Sequence, residues 1–293
     1  MGGIVRGPIA VAGGRGDIEF ASSGDDADEL PLDFDPLGAL VQVAQGSTIV
    51  LTGTVLAGAP GVSDGATGLP ILCMDAAVLT AIRTAASTAA ASRVLARPDS
   101  AVLAILGLGE QAHSHIEAMR AVHPITRIIA WGRDRAKLEA FAQENGAEMA
   151  GSAAAAVAQA DIIVTATPAR EPFLSAAMLK PGQHVNAVGA SVAFMQELSA
   201  DVVAATRYVT DYRPSLEPQA AEVIAARKQG LIAGDHDIPE IGEIIAGAKP
   251  GRRSADDITL YRSLGIAAQD LAAAHFILAR AVEGGVGSEI DMT

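Results

Sequence analysis

"AVLAILGLGEQAHSH", residues 101–115, runs from an apolar stretch through a glycine turn into a helix-forming stretch. Gly107, Gly109 and Ala112 match G-x-G-x-x-A, with Glu110 and Gln111 between the last two. A strand before the turn and a helix after it are the context in which this pattern binds a dinucleotide. Gly107 permits the tight turn, Gly109 lets a pyrophosphate approach the backbone, and Ala112 lets helix and strand pack closely. The helix start offers unpaired N–H groups and the positive end of its dipole to the anion. The competing reading is an ordinary strand-to-helix turn.

The surrounding pattern favours the dinucleotide reading. Strand-like runs recur at "AVLAILG" (101–107), "RIIAWG" (127–132), "DIIVTAT" (161–167), "HVNAVG" (184–189) and "RYVTD" (207–211), with alanine-rich helical stretches between them. Alternation at this spacing predicts an α/β fold, a doubly wound parallel sheet of Rossmann type. Upstream, "ALVQVAQ", "STIVLTGTVLAG" and "GLPILCM" read as strands of a small sheet, punctuated by Gly and Pro. "AAVLTAIRTAASTAAASRVLA" (76–96) reads as one long helix closed by Pro98. "DDITLYRSLGIAAQDLAAAHFILARAVE" (256–283) reads as a short extended piece and then a long helix, a last part that folds back on the first domain. The expected division is a mobile segment over 1–36, where the acidic run "SSGDDADELPLDFD" lies, a smaller α+β domain over 37–97 plus 266–293, and the nucleotide domain over 98–265.

Composition narrows the function. Half of the 293 residues are apolar and only 3% aromatic, so the core is built from Val, Ile, Leu and Ala. A net charge of −13 argues against non-specific binding to nucleic acid or anionic membrane. Cys73 is the only cysteine and lies in an apolar run, which reads as core. A single cysteine permits no internal disulfide and fits a cytoplasmic location. No apolar run is long enough to span a bilayer, and "MGGIVRGPIAVAGGRGD" does not read as a signal peptide. His113 and His115 are two apart on a helix and so face differently, and His236 lies between two aspartates, which reads as a solvated loop. No metal is expected.

The end of the second strand bears on the coenzyme. An NAD enzyme usually carries Asp or Glu there for the ribose hydroxyls. Trp131 and Gly132 occupy the place, followed by Arg133, with Arg135 close behind. A guanidinium suits a 2′-phosphate, so NADPH is expected, with NADH possible. The alternative for Arg133 is a solvated side chain at a helix start.

Four stretches in order, "GLPILCMDAAVLTAIRTAASTAAASRVLARPDSAVLAILGLGEQAHSH" (68–115), "NAVGAS" (186–191), "IGEIIAGAKPGR" (241–252) and "ITLYRSLGIAAQD" (258–270), resemble the ornithine cyclodeaminase/mu-crystallin family. The resemblance covers roughly residues 66–290. It implies a Rossmann domain beside a smaller substrate and dimerisation domain, and a homodimer. Family members include cyclodeaminases, alanine dehydrogenases and imine reductases. Cyclodeaminases resemble G-G-D after "NAVG", whereas ketimine reductases resemble the Gly189-Ala190-Ser191 found in this chain.

A carboxylate helps when ornithine cyclisation must manage protons on two amines. Reduction of an imine already formed needs only hydride and one proton. The resemblance therefore points to reduction of a small imino acid of the Δ1-pyrroline-2-carboxylate or Δ1-piperideine-2-carboxylate type. Less favoured are a catalytically weak nucleotide-binding homologue and an ornithine cyclodeaminase. It places Ser191 at the catalytic centre, Arg83 on the substrate carboxylate, and Thr165, Thr167, Val188, Ser263 and Gly265 around the cofactor. Read from the residues alone, Ser191 is equally a turn residue, Arg83 a partner of a protein carboxylate, and the Thr and Ser–Gly pairs plain packing.

One departure stands out. Family members usually carry more chain before the "RTAA" helix, including a substrate-facing lysine, the natural proton donor. Here no lysine precedes Lys137, and "GALVQVAQG" places Ala39 near the lysine position.

Overall fold

The computed structural model describes residues 9–12, 61–63 and 70–290. The chain divides into two compact units, Met1–Arg83 with Ala267–Thr293, and Thr84–Ile266. The strand-like runs over 39–58, Ala39 included, lie outside the described residues. Of the segment 1–36, only Ile9–Ala12 is described, and it is a strand.

The first unit begins with strands β1 (Ile9–Ala12), β2 (Gly61–Ser63) and β3 (Pro70–Met74). β3 pairs antiparallel with both neighbours, setting Leu72 opposite Val11 and Val62. Helix α1 (Ala76–Leu95) follows at once. Asp75 starts it by accepting from the amides of Ala77 at 2.7 Å and Val78 at 3.1 Å, donors that the first helical turn otherwise leaves unpaired. The unit boundary falls within α1, after Arg83.

The second unit carries β4 (Val102–Leu106), α2 (Glu110–Val122), β5 (Arg127–Trp131), α3 (Arg135–Asn145) and β6 (Glu148–Met149). β7 (Ile162–Thr165), β8 (His184–Ala187), β9 (Arg207–Thr210) and β10 (Thr259–Arg262) complete its sheet. The order is β6-β5-β4-β7-β8-β10-β9, and every pairing is parallel. This is the doubly wound Rossmann sheet.

Side chains alternate between the faces of a strand, and a sheet covered on both sides needs apolar residues at every position. Along β4, Leu103 and Ile105 join the cluster with Ile116 and Met119 of α2, while Ala104 and Leu106 join the opposite cluster with Ile163 and Val185. The strand order reverses between β4 and β7. There the connections leave in opposite directions and open a crevice at the strands' C-terminal ends.

One sequence expectation is corrected. The stretch 256–283 does not return as a whole to the first unit. Its extended piece is β10, inserted between β8 and β9. Only its helix α4 (Ala267–Gly284) joins the first unit, together with β11 (Ser288–Ile290), which pairs parallel with β1. Leu271 and Ala274 of α4 pack there with Leu72, Met74 and Leu79. A four-residue run carries the same pattern in either sheet, so only packing chose.

The part of α1 inside the second unit buries polar residues, Thr84, Ser87, Thr88 and Ser92. Thr88 and Ser92 among them meet two fully buried histidines, His115 and His184. His184 Nδ1 lies 2.9 Å from the hydroxyl of Thr259, and its Nε2 lies 3.1 Å from the side-chain oxygen of Asn186. His115 Nδ1 donates to the Gln111 carbonyl at 2.6 Å, and its Nε2 meets the Thr88 hydroxyl at 3.2 Å. Burial lowers His115 to a pKa of about 4 and His184 to about 3, so both are neutral at pH 7.

Candidate functional site at the sheet's C-terminal edge

Five strand ends, those of β4, β5, β7, β8 and β10, deliver the candidate residues of the second unit to one edge of it. After β4, Gly107 has φ +130° and donates its amide to the Trp131 carbonyl at 3.0 Å. A Cβ there would lie 2.3 Å from the Ala166 carbonyl oxygen, so only glycine fits. Gly109 differs. A Cβ built on it meets nothing within 4 Å. It caps α2 with extended backbone, and no side chain pairs with the amides of the first turn. A helix start without a side-chain cap, beside a glycine with open space, is the kind of place that can receive an anion. Glu110 begins α2 exposed, Gln111 is half-buried, and Ala112 is fully buried against β4 as close packing requires.

Past β5, Arg133 is exposed and joins no ion pair among the described residues. Arg135 pairs with Glu139 at 2.9 Å along α3, and Asp134 caps α3 by accepting from the Lys137 amide at 3.1 Å. Among the described residues, Arg133 is therefore a cation at this strand end that joins no ion pair.

The residues after β7 and β8 are organised by a group the sequence reading missed. Glu197, buried to 2% exposure, accepts from the Thr165 hydroxyl at 2.8 Å, the Thr167 amide at 2.7 Å, the Thr167 hydroxyl at 2.8 Å and the Gly189 amide at 2.9 Å. Burial pushes its carboxyl up, and the hydrogen bonds from Thr165 and Thr167 with the nearby Arg262 charge pull it back. Thr165 is itself fully buried with its hydroxyl turned onto Glu197. Thr167 keeps partial exposure. Val188 is buried, its amide bonded to the Thr165 carbonyl at 3.0 Å.

Arg262, at the end of β10, is 1% exposed. Its Nη1 donates to the Ala187 carbonyl at 3.1 Å and its Nη2 to that of Ala190, so it holds the "NAVGA" backbone. Its Nε lies 2.8 Å from Glu222, which also accepts from the Tyr208 hydroxyl at 2.6 Å. Burial works against the Arg262 charge, yet Glu222, Tyr208 and Glu197 together raise its pKa. Asp211 accepts from the amides of Leu264 at 2.8 Å and Gly265 at 2.6 Å, fixing the turn in which Gly265 has φ +83°. Ser263 is buried, its amide bonded to the Ala187 carbonyl at 3.0 Å. Ser191 stands exposed beyond this framework, without a hydrogen-bond partner among the described residues.

Arg83 belongs to the first unit. Its Nε is 2.9 Å from Asp270, an ion pair not aligned as a hydrogen bond, and its Nη1 donates to Gln269 at 3.2 Å. The protein-carboxylate reading is thus realised for its Nε alone, while Nη1 meets a neutral amide oxygen. Among the described residues, no cluster of three or more His, Cys, Asp or Glu is placed to hold a metal ion, and no helix is long and apolar enough to cross a membrane.

A model of the ornithine cyclodeaminase/mu-crystallin family matches residues 51–285. The chain belongs to this family. A Δ1-pyrroline-2-carboxylate reductase of Bacillus cereus is 37% identical over 236 residues, covering 78% of this chain and 72% of the relative. The Thermococcus litoralis Δ1-pyrroline-2-carboxylate reductase, solved with NADH and L-proline, superposes with a TM-score of 0.74 at 31% identity, covering 79% of this chain and 74% of that one. An archaeal alanine dehydrogenase dimer with bound NAD gives 0.73 at 32% identity, covering 80% and 74%. The relatives within the ornithine cyclodeaminase/mu-crystallin family thus include oxidoreductases of imino acids.

Proposed function

We propose that the chain is an NADPH-dependent reductase of a small cyclic imino acid, of the Δ1-pyrroline-2-carboxylate or Δ1-piperideine-2-carboxylate type. The observation that carries this reading is the open space at Gly109 above uncapped α2 amides, in a chain 37% identical to a Δ1-pyrroline-2-carboxylate reductase. The pyrophosphate is held by the loop 107–112, and Arg133 takes the 2′-phosphate. NADH is the competing coenzyme, because both solved relatives described above hold NAD or NADH. When bound, the reduced nicotinamide supplies hydride to the imine carbon. The protein's part is orientation. Thr167, Val188, Ser263 and Gly265 shape the cofactor site, Ser191 positions the imine, and Arg83 meets the carboxylate. We assign dimerisation to the first unit, and a cytoplasmic location to the chain.

The second reading is a nucleotide-binding homologue with weak catalysis. An absorbance assay of NADPH consumption over a panel of imino acids, with ornithine and NAD run beside it, decides between them. Turnover of a cyclic imino acid is expected. Tight NADPH binding with no turnover supports the second reading, and ammonia release from ornithine at a comparable rate overturns both.

A further inference from the structure

In a doubly wound sheet the two nucleotides lie on opposite sides of the switch point. The glycine loop after β4 and Arg133 after β5 take up one half of the ligand. The other half must cross the ends of β7 and β8, where the chain has no regular structure in 166–169 and 188–190. Irregular backbone holds a shape only if its polar groups are tied down.

One side chain ties both stretches. Each Glu197 oxygen accepts one backbone amide and one threonine hydroxyl. Oε1 takes both donors of Thr167, and Oε2 takes Gly189 N–H and the Thr165 hydroxyl. The two loops touch beneath it, since a Cβ on Gly189 would lie 2.2 Å from the Thr167 nitrogen. Glu197 is itself anchored, its carbonyl accepting from the amides of Phe173 at 3.0 Å and Leu174 at 3.1 Å. With four donors on two oxygens, the carboxylate has no acceptor site left for a substrate.

We infer that Glu197 is a positioning residue for the nicotinamide half of the dinucleotide: by fastening the loop after β7 to the loop after β8, it fixes the floor on which that half rests. The inference rests on the dinucleotide reading above. It requires a carboxylate. A glutamine in either flip turns its own NH2 toward a backbone amide: toward that of Thr167 on one side, or on the other toward that of Gly189, which also reaches the Thr165 carbonyl at 3.2 Å, and either way a donor facing a donor loosens the fastening.

The test compares two probes by calorimetric titration. NADPH carries the whole ligand, and 2′-phospho-ADP-ribose lacks only the nicotinamide while keeping every contact to the glycine loop and Arg133. Glu197→Gln is expected to weaken NADPH about tenfold, the scale of one buried unsatisfied donor, and to leave the fragment within about twofold. Thr165→Val removes one hydroxyl donor with little change of shape, so it carries the test should Glu197→Gln fail to fold. It is expected to weaken NADPH about threefold in the same selective manner. Equal losses for both probes, or no loss for either, overturn the assignment. Failure of the unsubstituted protein to bind either probe overturns it together with the dinucleotide reading. Binding of NADPH without turnover of any imine overturns only the proposed reaction, and the two-probe comparison still decides Glu197.

Discussion

Gly107 and Gly109 sit two residues apart in one loop, and alanine should harm them in opposite ways. At Gly107 the backbone has φ +130°, and the new methyl would sit 2.3 Å from the Ala166 carbonyl oxygen. A non-glycine residue forced into such a conformation costs about 1–3 kcal/mol, and overpacking adds about as much, so about 3 kcal/mol is a low estimate. For a unit of this size that lowers Tm by about 6–12 °C. At Gly109 the backbone is extended and the methyl meets nothing within 4 Å. Losing a glycine cap and gaining a stiffer unfolded chain roughly offset, so Tm without cofactor should move by less than about 2 °C.

The methyl at Gly109 instead fills the space a pyrophosphate needs. A cofactor at a hundred times its Kd raises stability by about 2.7 kcal/mol, and Gly109→Ala should abolish most of that gain. Thermal unfolding followed by circular dichroism, with and without NADPH, reads both effects. Gly109→Ala retaining the full NADPH-induced rise in Tm would refute the placement of the phosphate. Gly107→Ala melting like the parent would refute the loop geometry.

Four further outcomes are expected. Arg133→Ala should weaken NADPH by about 1–3 kcal/mol and leave NADH unchanged in calorimetric titration, and equal losses would make Arg133 structural. Arg83→Lys keeps the charge but loses the planar fork, so steady-state kinetics should show a raised KM for the imino acid at unchanged NADPH affinity. His115 and His184 have folded pKa values of about 4 and about 3, below the unfolded 6.5. The unfolded chain therefore binds more protons as pH falls through 6.5, and stability present above that pH is lost, by about 2 kcal/mol for each histidine at pH 5; urea unfolding at pH 7 and pH 5 checks it. Finally, if the proposed reductase binds a substrate already protonated, the falling limb of kcat/KM against pH should move with imine basicity across two imines. A limb fixed for both would show a protein group donating the proton.

Most of the fold was legible because its determinants are local. β4, β5 and β7 are apolar at most positions, and α1 is a long run of good helix formers ended by Pro98. β6 escaped notice because two exposed residues carry no pattern. The glycine loop was legible too. A positive φ and a close backbone approach leave glycine as the one residue that fits, so those demands are written into the sequence itself. Ser191 and Arg83 stood out through resemblance, and the pairing of Arg83 with Asp270 shows why spacing alone leaves the role of a half-buried arginine open.

What the sequence by itself determined was the alternation of strand and helix, the glycine turn, and the cation after β5. What only the tertiary structure decided was which distant charges stand beneath those loops. Glu197 meets Thr167 across thirty positions, and Arg262 meets Ala190 across seventy-two. No periodicity links such partners. A buried charge takes its role from the backbone donors and acceptors around it, and the folded sheet brings those together only when its parallel strands end side by side.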